Sequence, residues 1–278
     1  MAISGDASRR AQAGAPRAEA PPLAEVRGVS KYFGAVRALN GVDLVVRAGE
    51  VVVLAGDNGA GKSTVVKVLS GIITPDQGHI AISGVPVELS GPREAAALGI
   101  QTIYQDLALC DNLNVTENMY LCREERRSML RGRQLKRAEM ESRSRTALDA
   151  LQVRIDDLNT PVIALSGGQR QCVAIGRAIL SDARLIILDE PTAALGVTQR
   201  ADVMALIERL RANGNGVLVV SHDLADMLHI ADRIVVLRLG TTVADRAASE
   251  WTHDSLVAAI TGSTTFAMAG AGVTDERE

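Results

Sequence analysis

Aromatic residues are scarce in this sequence: two phenylalanines, three tyrosines and one tryptophan make up 2% of its 278 residues. Surfaces that bind single-stranded nucleic acid use aromatic side chains on which bases stack, so this scarcity argues against such a surface. An excess of positive charge is missing too, because 30 basic residues stand against 33 acidic ones and the formal net charge is −3. Nucleic-acid binding depends on a basic surplus, and we therefore predict no nucleic-acid partner.

Long apolar runs are also missing. Stretches such as VVVLA at 51–55 and LIIL at 185–188 fall far short of the about 20 apolar residues that cross a bilayer as a helix. The N-terminal region has no continuous apolar segment, so we predict no signal peptide. The three cysteines form no CxxC pair, and an odd count without a secretion signal fits free thiols in a reducing cytoplasm.

The composition of the chain divides it into two tails and one compact region. Residues 1–22 are rich in Ala, Pro, Arg and Gly without periodicity and predict a disordered tail, and residues 263–278 predict a flexible one. Residues 23–262 between them predict a single domain that opens with strand-like segments. One of these, VDLVV, follows Asn40-Gly41, which is a turn signal.

Short, apolar, β-branched runs recur through the rest of this domain. Such runs fit strands that are covered on both faces. The candidates are VVVLA (51–55), IQTIY (100–104), LIILD (185–189), VLVVS (217–221) and RIVVLR (233–238). Helical patterns separate several of them, and this alternation predicts an α/β fold with a mostly parallel sheet.

The region 106–181 differs from its surroundings. It holds many Arg, Glu, Leu and Met residues and no strong strand candidate, so we expect a mainly helical subdomain there. Within it, 123–145 carries nine basic and four acidic residues. A nucleic-acid patch would need such a surplus, but a solvated helix face explains it better.

The stretch GDNGAGKST lies directly after a predicted buried strand and before a helical pattern. Its glycines allow backbone dihedrals that turn N–H groups inward around phosphates. Lys62 brings a positive charge to the β- and γ-phosphates, and the Ser63 hydroxyl is placed to coordinate Mg²⁺. The pattern predicts a Walker A nucleotide site made of Gly56, Asp57, Asn58, Gly59, Ala60, Gly61, Lys62, Ser63 and Thr64.

A pair of acids ends another predicted strand, in LIILDEPT. Open α/β folds bind ligands at the carboxyl ends of their strands, where these acids lie. Asp189 fits the Walker B role of holding Mg²⁺, and the adjacent Glu190 can face the attacking water because neighbouring side chains diverge at a strand end. A surface Asp-Glu turn is the alternative interpretation.

A second glycine-rich helix start, LSGGQ at 165–169, joins these two motifs. A helix that opens on glycines is an anion site, and one chain has no evident use for two. With this stretch the sequence resembles the ATP-binding cassette (ABC) family over most of 23–262. The resemblance implies a RecA-like P-loop NTPase fold: a mostly parallel sheet core, N-terminal antiparallel strands and a helical subdomain.

Further family motifs follow in the family's order. In SKYFG, Phe33 matches the aromatic that stacks on adenine; Tyr32 is a neighbouring candidate, and a core role is open for either. In TIYQD, Gln105 matches the glutamine that senses Mg²⁺ and water. In VLVVSHD, His222 matches the histidine that contacts the γ-phosphate. The resemblance thus implies Glu190, His222 and Gln105 as catalytic residues, with Ser63, Gln105 and Asp189 as Mg²⁺ ligands.

The resemblance also answers why there are two glycine-rich helix starts. In the family, the signature of one cassette meets the γ-phosphate of ATP held by a second cassette. Ser166, Gly167, Gly168 and Gln169 would therefore complete a pocket of a partner chain. We expect a dimer, most simply a homodimer, which ATP closes and hydrolysis reopens.

The sequences GIQTIYQDLALCDNLNVTENMYL and PTAALGVTQ look most like bacterial importers of ribose, xylose or galactose. That resemblance implies an ATPase bound peripherally to the cytoplasmic face of a bacterial membrane. Its partners would be transmembrane permease subunits, docked on the helical subdomain just after Gln105, and, indirectly, an extracytoplasmic sugar-binding protein. Gly196 stands where most ABC proteins have Asp, which puts that loop's contact across the dimer in doubt. The alternative is a soluble ABC ATPase that acts on nucleic acid or ribosomes.

Overall fold

The computed structural model describes residues 21–126, 135–193 and 195–263. Most of the N-terminal tail and nearly all of the C-terminal tail that the sequence predicts lie outside these ranges. Within them, no helix is long and apolar enough to span a membrane.

A six-stranded sheet forms the centre of the molecule, with the strand order β10-β9-β3-β8-β7-β6. Its strands are β3 (Val51–Ala55), β6 (Ile100–Ile103), β7 (Leu185–Asp189), β8 (Gly216–Val220), β9 (Arg233–Arg238) and β10 (Thr241–Ala247). All neighbours pair in parallel except β10, which runs antiparallel to β9. The prediction of a mostly parallel α/β sheet is therefore confirmed.

A smaller antiparallel sheet has the order β2-β1-β4-β5. Its strands are β1 (Ala24–Phe33), β2 (Val36–Val46), β4 (Gln77–Ile82) and β5 (Val85–Val87). The turn predicted at Asn40-Gly41 is wrong, because both residues lie inside β2. The register shifts there, with Leu39 opposite Lys31 and Val42 opposite Val29. A bulge accommodates the positive φ of Gly41 (62°) without ending the strand.

Eight α-helices occur in the described residues. They are α1 (Lys62–Leu69), α2 (Pro92–Ala97), α3 (Val115–Met119), α4 (Arg137–Ala150), α5 (Gly167–Ile179), α6 (Val197–Ala212), α7 (Leu224–Ile230) and α8 (His253–Thr261). In the described part of 106–181, every named element is helical.

The central sheet separates two hydrophobic cores. Val51 and Val53 of β3 pack into a core with α5, α6 and α7, while Val52 and Leu54 pack on the opposite face with α1 and the antiparallel sheet. All four side chains are fully buried. Because both faces of the strand are covered, its sequence is a continuous apolar run rather than an alternating one.

Candidate functional site

The loop 56–61 connects β3 to α1 through backbone shapes that only glycine accommodates. Gly61 has φ of 106°, and a Cβ there would lie 2.8 Å from the carbonyl oxygen of Ala38 in β2. A Cβ on Gly56 would lie 2.4 Å from the carbonyl oxygen of Leu237 in β9. The loop is therefore pressed against two strands, and a larger residue at either position would displace it.

The side chain of Lys62 curls back over this loop. Its Nζ donates to the carbonyl oxygens of Gly56 (2.8 Å) and Asp57 (3.0 Å), and the residue is 8% exposed. Asp57 in turn accepts from the backbone N–H of Asn58 at 2.7 Å. No other described residue accepts a hydrogen bond from the backbone N–H of Lys62 or Ser63. These amides are free to bind a phosphate at the start of α1.

The acids predicted from LIILDEPT lie at the end of β7. Asp189 is the last residue of the strand, and Glu190 follows in a left-handed conformation with φ of 51°. The backbone N–H of Glu190 donates to the carbonyl of Val220 in β8 at 2.9 Å. This places Glu190 beside His222, whose Nδ1 lies 3.2 Å from its Oε1. Two residues predicted from separate motifs are thus in direct contact.

Burial shifts the pKa values of Asp189 and Lys62 in opposite directions. Burial, and then the nearby charge of Glu190, raise the pKa of the Asp189 carboxyl. Burial lowers the pKa of the Lys62 ammonium, although Glu190, Asp57 and Asp189 all oppose that shift. The structure therefore brings the Walker A lysine and both Walker B acids into electrostatic contact.

This group of residues fits Mg²⁺. A magnesium site beside a nucleotide needs only one or two carboxylates, since phosphates and water supply the other oxygens. Asp189 and the hydroxyl of Ser63 are hard oxygen ligands of that kind. The raised pKa of Asp189 indicates that its buried negative charge is under-compensated, and a bound cation would relieve this.

Gln105 lies just beyond the end of β6, and its side chain is exposed and makes no hydrogen bond to a described residue. The next turn is strained, because Leu107 and Ala108 both have positive φ, at 58° and 45°. Arg177 of α5 stabilises this turn: its guanidinium donates to the carbonyl of Ala108 at 3.1 Å and to that of Leu107 at 3.2 Å. No sequence motif indicates this contact, which joins residues about 70 positions apart.

The signature stretch begins α5 with a reciprocal cap. Ser166 Oγ accepts from the backbone N–H of Gln169 (3.3 Å), and Gln169 Oε1 accepts from the backbone N–H of Ser166 (3.0 Å). The glycines lie against the start of α6: a Cβ on Gly167 would be 3.1 Å from Leu195 Cδ2, and one on Gly168 would be 3.5 Å from Gln199 Cβ. No other described residue uses the backbone N–H of Gly167 or Gly168.

The loop before α1 and the start of α5 lie beside separate clefts. One cleft, of about 360 Å³, is lined by residues 57–60 of the Walker A loop, by Arg238 and Leu239 at the end of β9, and by residues 260–262 at the end of α8. Another, of about 530 Å³, lies beside Ser166, Gly168 and Gln169. No residue lines both clefts.

Phe33 lies at the tip of the β1–β2 hairpin. It is 48% exposed, and the neighbouring Tyr32 is 38% exposed. Cationic side chains lie over both rings: Lys31 Nζ is 5.9 Å from the centre of the Phe33 ring, and the Arg37 guanidinium carbon is 5.5 Å from that of Tyr32. A buried core role is excluded for both. Either ring has a face available for stacking, so the choice between them stays a prediction.

Comparison with known proteins gives a consistent picture. The family model described as ABC transporter matches residues 39–193. The xylose/arabinose import ATP-binding protein of Sulfolobus acidocaldarius is 42% identical over 92% of this chain and 99% of its own length. The fructose import ATP-binding protein of Rhizobium meliloti is 41% identical over 87% and 94%. A ribose import ATP-binding protein of Rubrobacter xylanophilus is 41% identical over 89%, and the match spans 47% of that longer protein.

Solved structures agree with the fold. A nucleotide-free ATP-binding cassette from an ABC transporter superposes with a TM-score of 0.73 at 25% identity, over 91% of this chain and all of that one. A dimeric post-hydrolysis cassette bound to ADP and phosphate superposes with a TM-score of 0.67 at 26% identity, over 81% and 98%.

Proposed function

Because the chain belongs to the ABC transporter family of ATP-binding cassettes, we propose that it energises the uptake of a monosaccharide through a separate membrane permease. One observation carries the sugar assignment. A protein named for xylose and arabinose import matches 92% of this chain and 99% of its own length. A fructose import protein matches nearly as completely.

ATP binding rests on the loop between β3 and α1. The phosphates would take the free N–H groups at the start of α1, and Lys62 would leave its carbonyl partners for the β- and γ-phosphates. The exposed ring of Phe33, or of Tyr32, would stack on the adenine. Mg²⁺, held by Ser63 and Asp189 with Gln105, would neutralise charge on the phosphates.

Hydrolysis rests on Glu190 and His222. The Glu190 carboxylate would accept a proton from the attacking water, and His222 would contact the γ-phosphate from the other side. Their contact at 3.2 Å fixes both side chains at the same edge of the sheet. The strained backbone at Glu190 supports this role, because such conformations concentrate at active sites.

A second cassette completes each pocket. The signature opens onto a different cleft from the Walker A loop of its own chain. Ser166 and the free N–H groups of Gly167 and Gly168 would therefore serve ATP bound to the partner. A two-fold homodimer forms two such pockets at once, and a dimeric relative in the post-hydrolysis state supports this arrangement.

The permease would dock on the surface around residues 106–122. There Arg177 of α5 holds the turn after Gln105, which supports a role for this turn in relaying nucleotide state to the docking surface. Charge reversals on this surface should abolish sugar uptake and leave basal ATP hydrolysis intact. An extracytoplasmic binding protein would deliver the sugar, and the ATPase would lie peripherally on the cytoplasmic face of the membrane.

The decisive experiment measures partners and uptake together. The chain is expressed together with a candidate sugar permease, purified from membranes, and assayed for sugar-stimulated ATP hydrolysis in vesicles. Glu190→Gln should bind ATP normally but hydrolyse it slower by orders of magnitude and lose uptake. Glu208→Gln, an exposed acid on α6, is the matched control and should behave as wild type.

Two outcomes contradict the proposal. If Glu190→Gln hydrolyses ATP at the normal rate, the assignment of the water-activating residue is wrong. If no permease co-purifies and DNA or ribosomes stimulate hydrolysis instead, the chain is a soluble ATPase of the alternative class.

A further inference from the structure

Three segments of the chain meet at Arg200, in the first turn of α6. Its Nη1 lies 2.7 Å from Asp223 Oδ2 and 3.6 Å from Asp226 Oδ1. Asp223 directly follows His222. Asp226 accepts a hydrogen bond from Thr192 Oγ1 at 2.8 Å through its other oxygen, and Thr192 lies two residues after Glu190. The Arg200 guanidinium therefore joins the start of α6, which follows the Glu190 loop, to the segment that follows His222. The hydrogen bond from Thr192 to Asp226 joins the two loops directly.

The side of this contact formed by Asp223 is rigid. Asp223 is the N-cap of α7, and its Oδ1 accepts from the backbone N–H groups of Ala225 (3.0 Å) and Asp226 (3.2 Å). Its other oxygen is left for Arg200. These backbone hydrogen bonds and Arg200 lower the pKa of the Asp223 carboxyl, so the pair is ionic at neutral pH. Asp223 directly follows His222, so the contacts that hold Asp223 also restrain the backbone at His222.

The side formed by Asp226 is buried. Asp226 is 9% exposed and Thr192 is 5% exposed. A buried carboxylate needs partners that compensate its charge, and in the described chain these are Thr192 and Arg200. Gly196, at the end of the same loop, offers no side chain that could share this task. Thr192 and Arg200 thus add two side-chain links beside the contact of Glu190 with His222.

We propose that Arg200 is a positioning residue, which holds the His222 loop against the Glu190 loop and so keeps these two side chains in contact. Its Nη1 lies within ion-pair distance of both carboxylates, so one positive charge serves both. The inference rests on the proposed ATPase function for its kinetic consequences, and on geometry alone for its structural ones.

The kinetic test compares Arg200→Gln with Arg211→Gln. Arg211 is on the same helix, has a similar exposure (38% against 39%) and forms an ion pair with Asp232 at 2.9 Å. Arg200→Gln should lower kcat for ATP at least about 10-fold with little change in KM, since the phosphates are held elsewhere. Arg200→Lys should recover part of kcat, and Arg211→Gln should hydrolyse ATP as wild type does.

A second variant distinguishes loss of this contact from misfolding. Asp223→Asn keeps a good N-cap for α7 but removes the charge that Arg200 binds. It should fold, as judged by its thermal midpoint, and lower kcat as Arg200→Gln does. The double variant should be no worse than the more severe single one, because both remove the same contact.

The structural test does not depend on activity. The chain has four histidines, and the side-chain NMR signals of His222 can be assigned by their loss in His222→Gln. Arg200→Gln and Asp223→Asn should shift the His222 signals and leave the other three unchanged, while Arg211→Gln shifts none. Unchanged His222 signals in a folded Arg200→Gln, or an equal loss of kcat in Arg211→Gln, would overturn the inference. If the wild-type chain hydrolyses no ATP, the proposed function fails, and the NMR comparison still decides the role of Arg200.

Discussion

The two glycine-rich helix starts of this protein are built in different ways. At α1, the N-cap Gly61 is left-handed and no side chain caps the helix. At α5, the N-cap Ser166 is extended and forms a reciprocal capping box with Gln169. Both leave free N–H groups at the first two helical positions, but the first start is shaped by its backbone and the second by its side chains.

The difference shows what glycine does at each site. Gly61 is required by its own backbone angle and by the close approach of β2. Gly167 and Gly168 have no positive φ and are small because α6 lies against them and, in our proposal, because a partner's nucleotide approaches them. In our proposal, the first start therefore binds the nucleotide of its own chain, and the second contacts the nucleotide of the partner. Four predictions test this distinction.

The largest effect, on ATP hydrolysis, should come from placing a defective signature and a defective Walker A loop in different chains of one dimer. Ser166→Arg places bulk and charge in the signature, and Lys62→Ala removes the phosphate-binding charge. Each homodimer should be inactive, because every pocket then has one broken half. When the two variants are mixed and exchange subunits, half of the dimers are mixed and one pocket in each is whole. Phosphate release should return to about a quarter of the wild-type rate if the pockets work independently.

The single variant decides this test. Normal ATP hydrolysis by Ser166→Arg in the assembled transporter would show that LSGGQ is not half of an active site. A mixture that stays inactive, while both variants form dimers with wild type, would indicate that one intact pocket is not sufficient.

The next effect concerns ATP affinity. Lys62→Ala should weaken ATP binding about 10- to 100-fold, because a charge-assisted contact to the phosphates is lost. Ser166→Arg should leave the affinity of the monomer unchanged, since the signature serves the partner's nucleotide. Titration calorimetry measures both, and Lys67→Ala, an exposed lysine on the same helix, controls for net charge. Equal losses in Lys62→Ala and Ser166→Arg would erase the distinction between the two starts.

The free energy of unfolding should respond differently to alanine at Gly61 and at Gly168. Gly61→Ala forces a Cβ to within 2.8 Å of a backbone oxygen at a φ of 106°, so the free energy of unfolding should fall by at least about 2 kcal/mol. Gly168→Ala meets only ordinary contact at 3.5 Å and should leave the free energy of unfolding unchanged or raise it by up to about 1 kcal/mol. Urea unfolding of both variants checks this, and a severe loss in Gly168→Ala would show that α6 packs more tightly than the structure indicates.

The smallest expected effect is on cysteine alkylation, which reports on the packing of α5. Burial raises the pKa of the Cys172 thiol to about 11, so at pH 8 it should remain protonated and resist alkylation by iodoacetamide. The exposed Cys122 should be modified first. Mass spectrometry of the native protein over time measures the order, and early modification of Cys172 would show that the helix opens readily.

Much of the fold could be predicted because its signals are local. VVVLA and RIVVLR coincide with β3 and β9, since continuous apolar runs bounded by polar residues are typical of strands covered on both faces. LSGGQ carries its own cap, because Ser and Gln three residues apart are a capping box. Asn40-Gly41 was misread as a turn because a bulge uses the same residues, and only pairing with β1 selects between them.

The sequence by itself determined the five parallel strands of the central sheet and the two glycine-rich helix starts, because each depends on neighbours within a few positions. Tertiary structure alone decided which of them meet. Three contacts join residues that are distant along the chain: His222 with Glu190, Arg177 with Leu107 and Ala108, and Arg200 with Asp223 and Asp226. No periodicity records such contacts, since they arise when parallel strands place the ends of separate segments at one edge of a sheet.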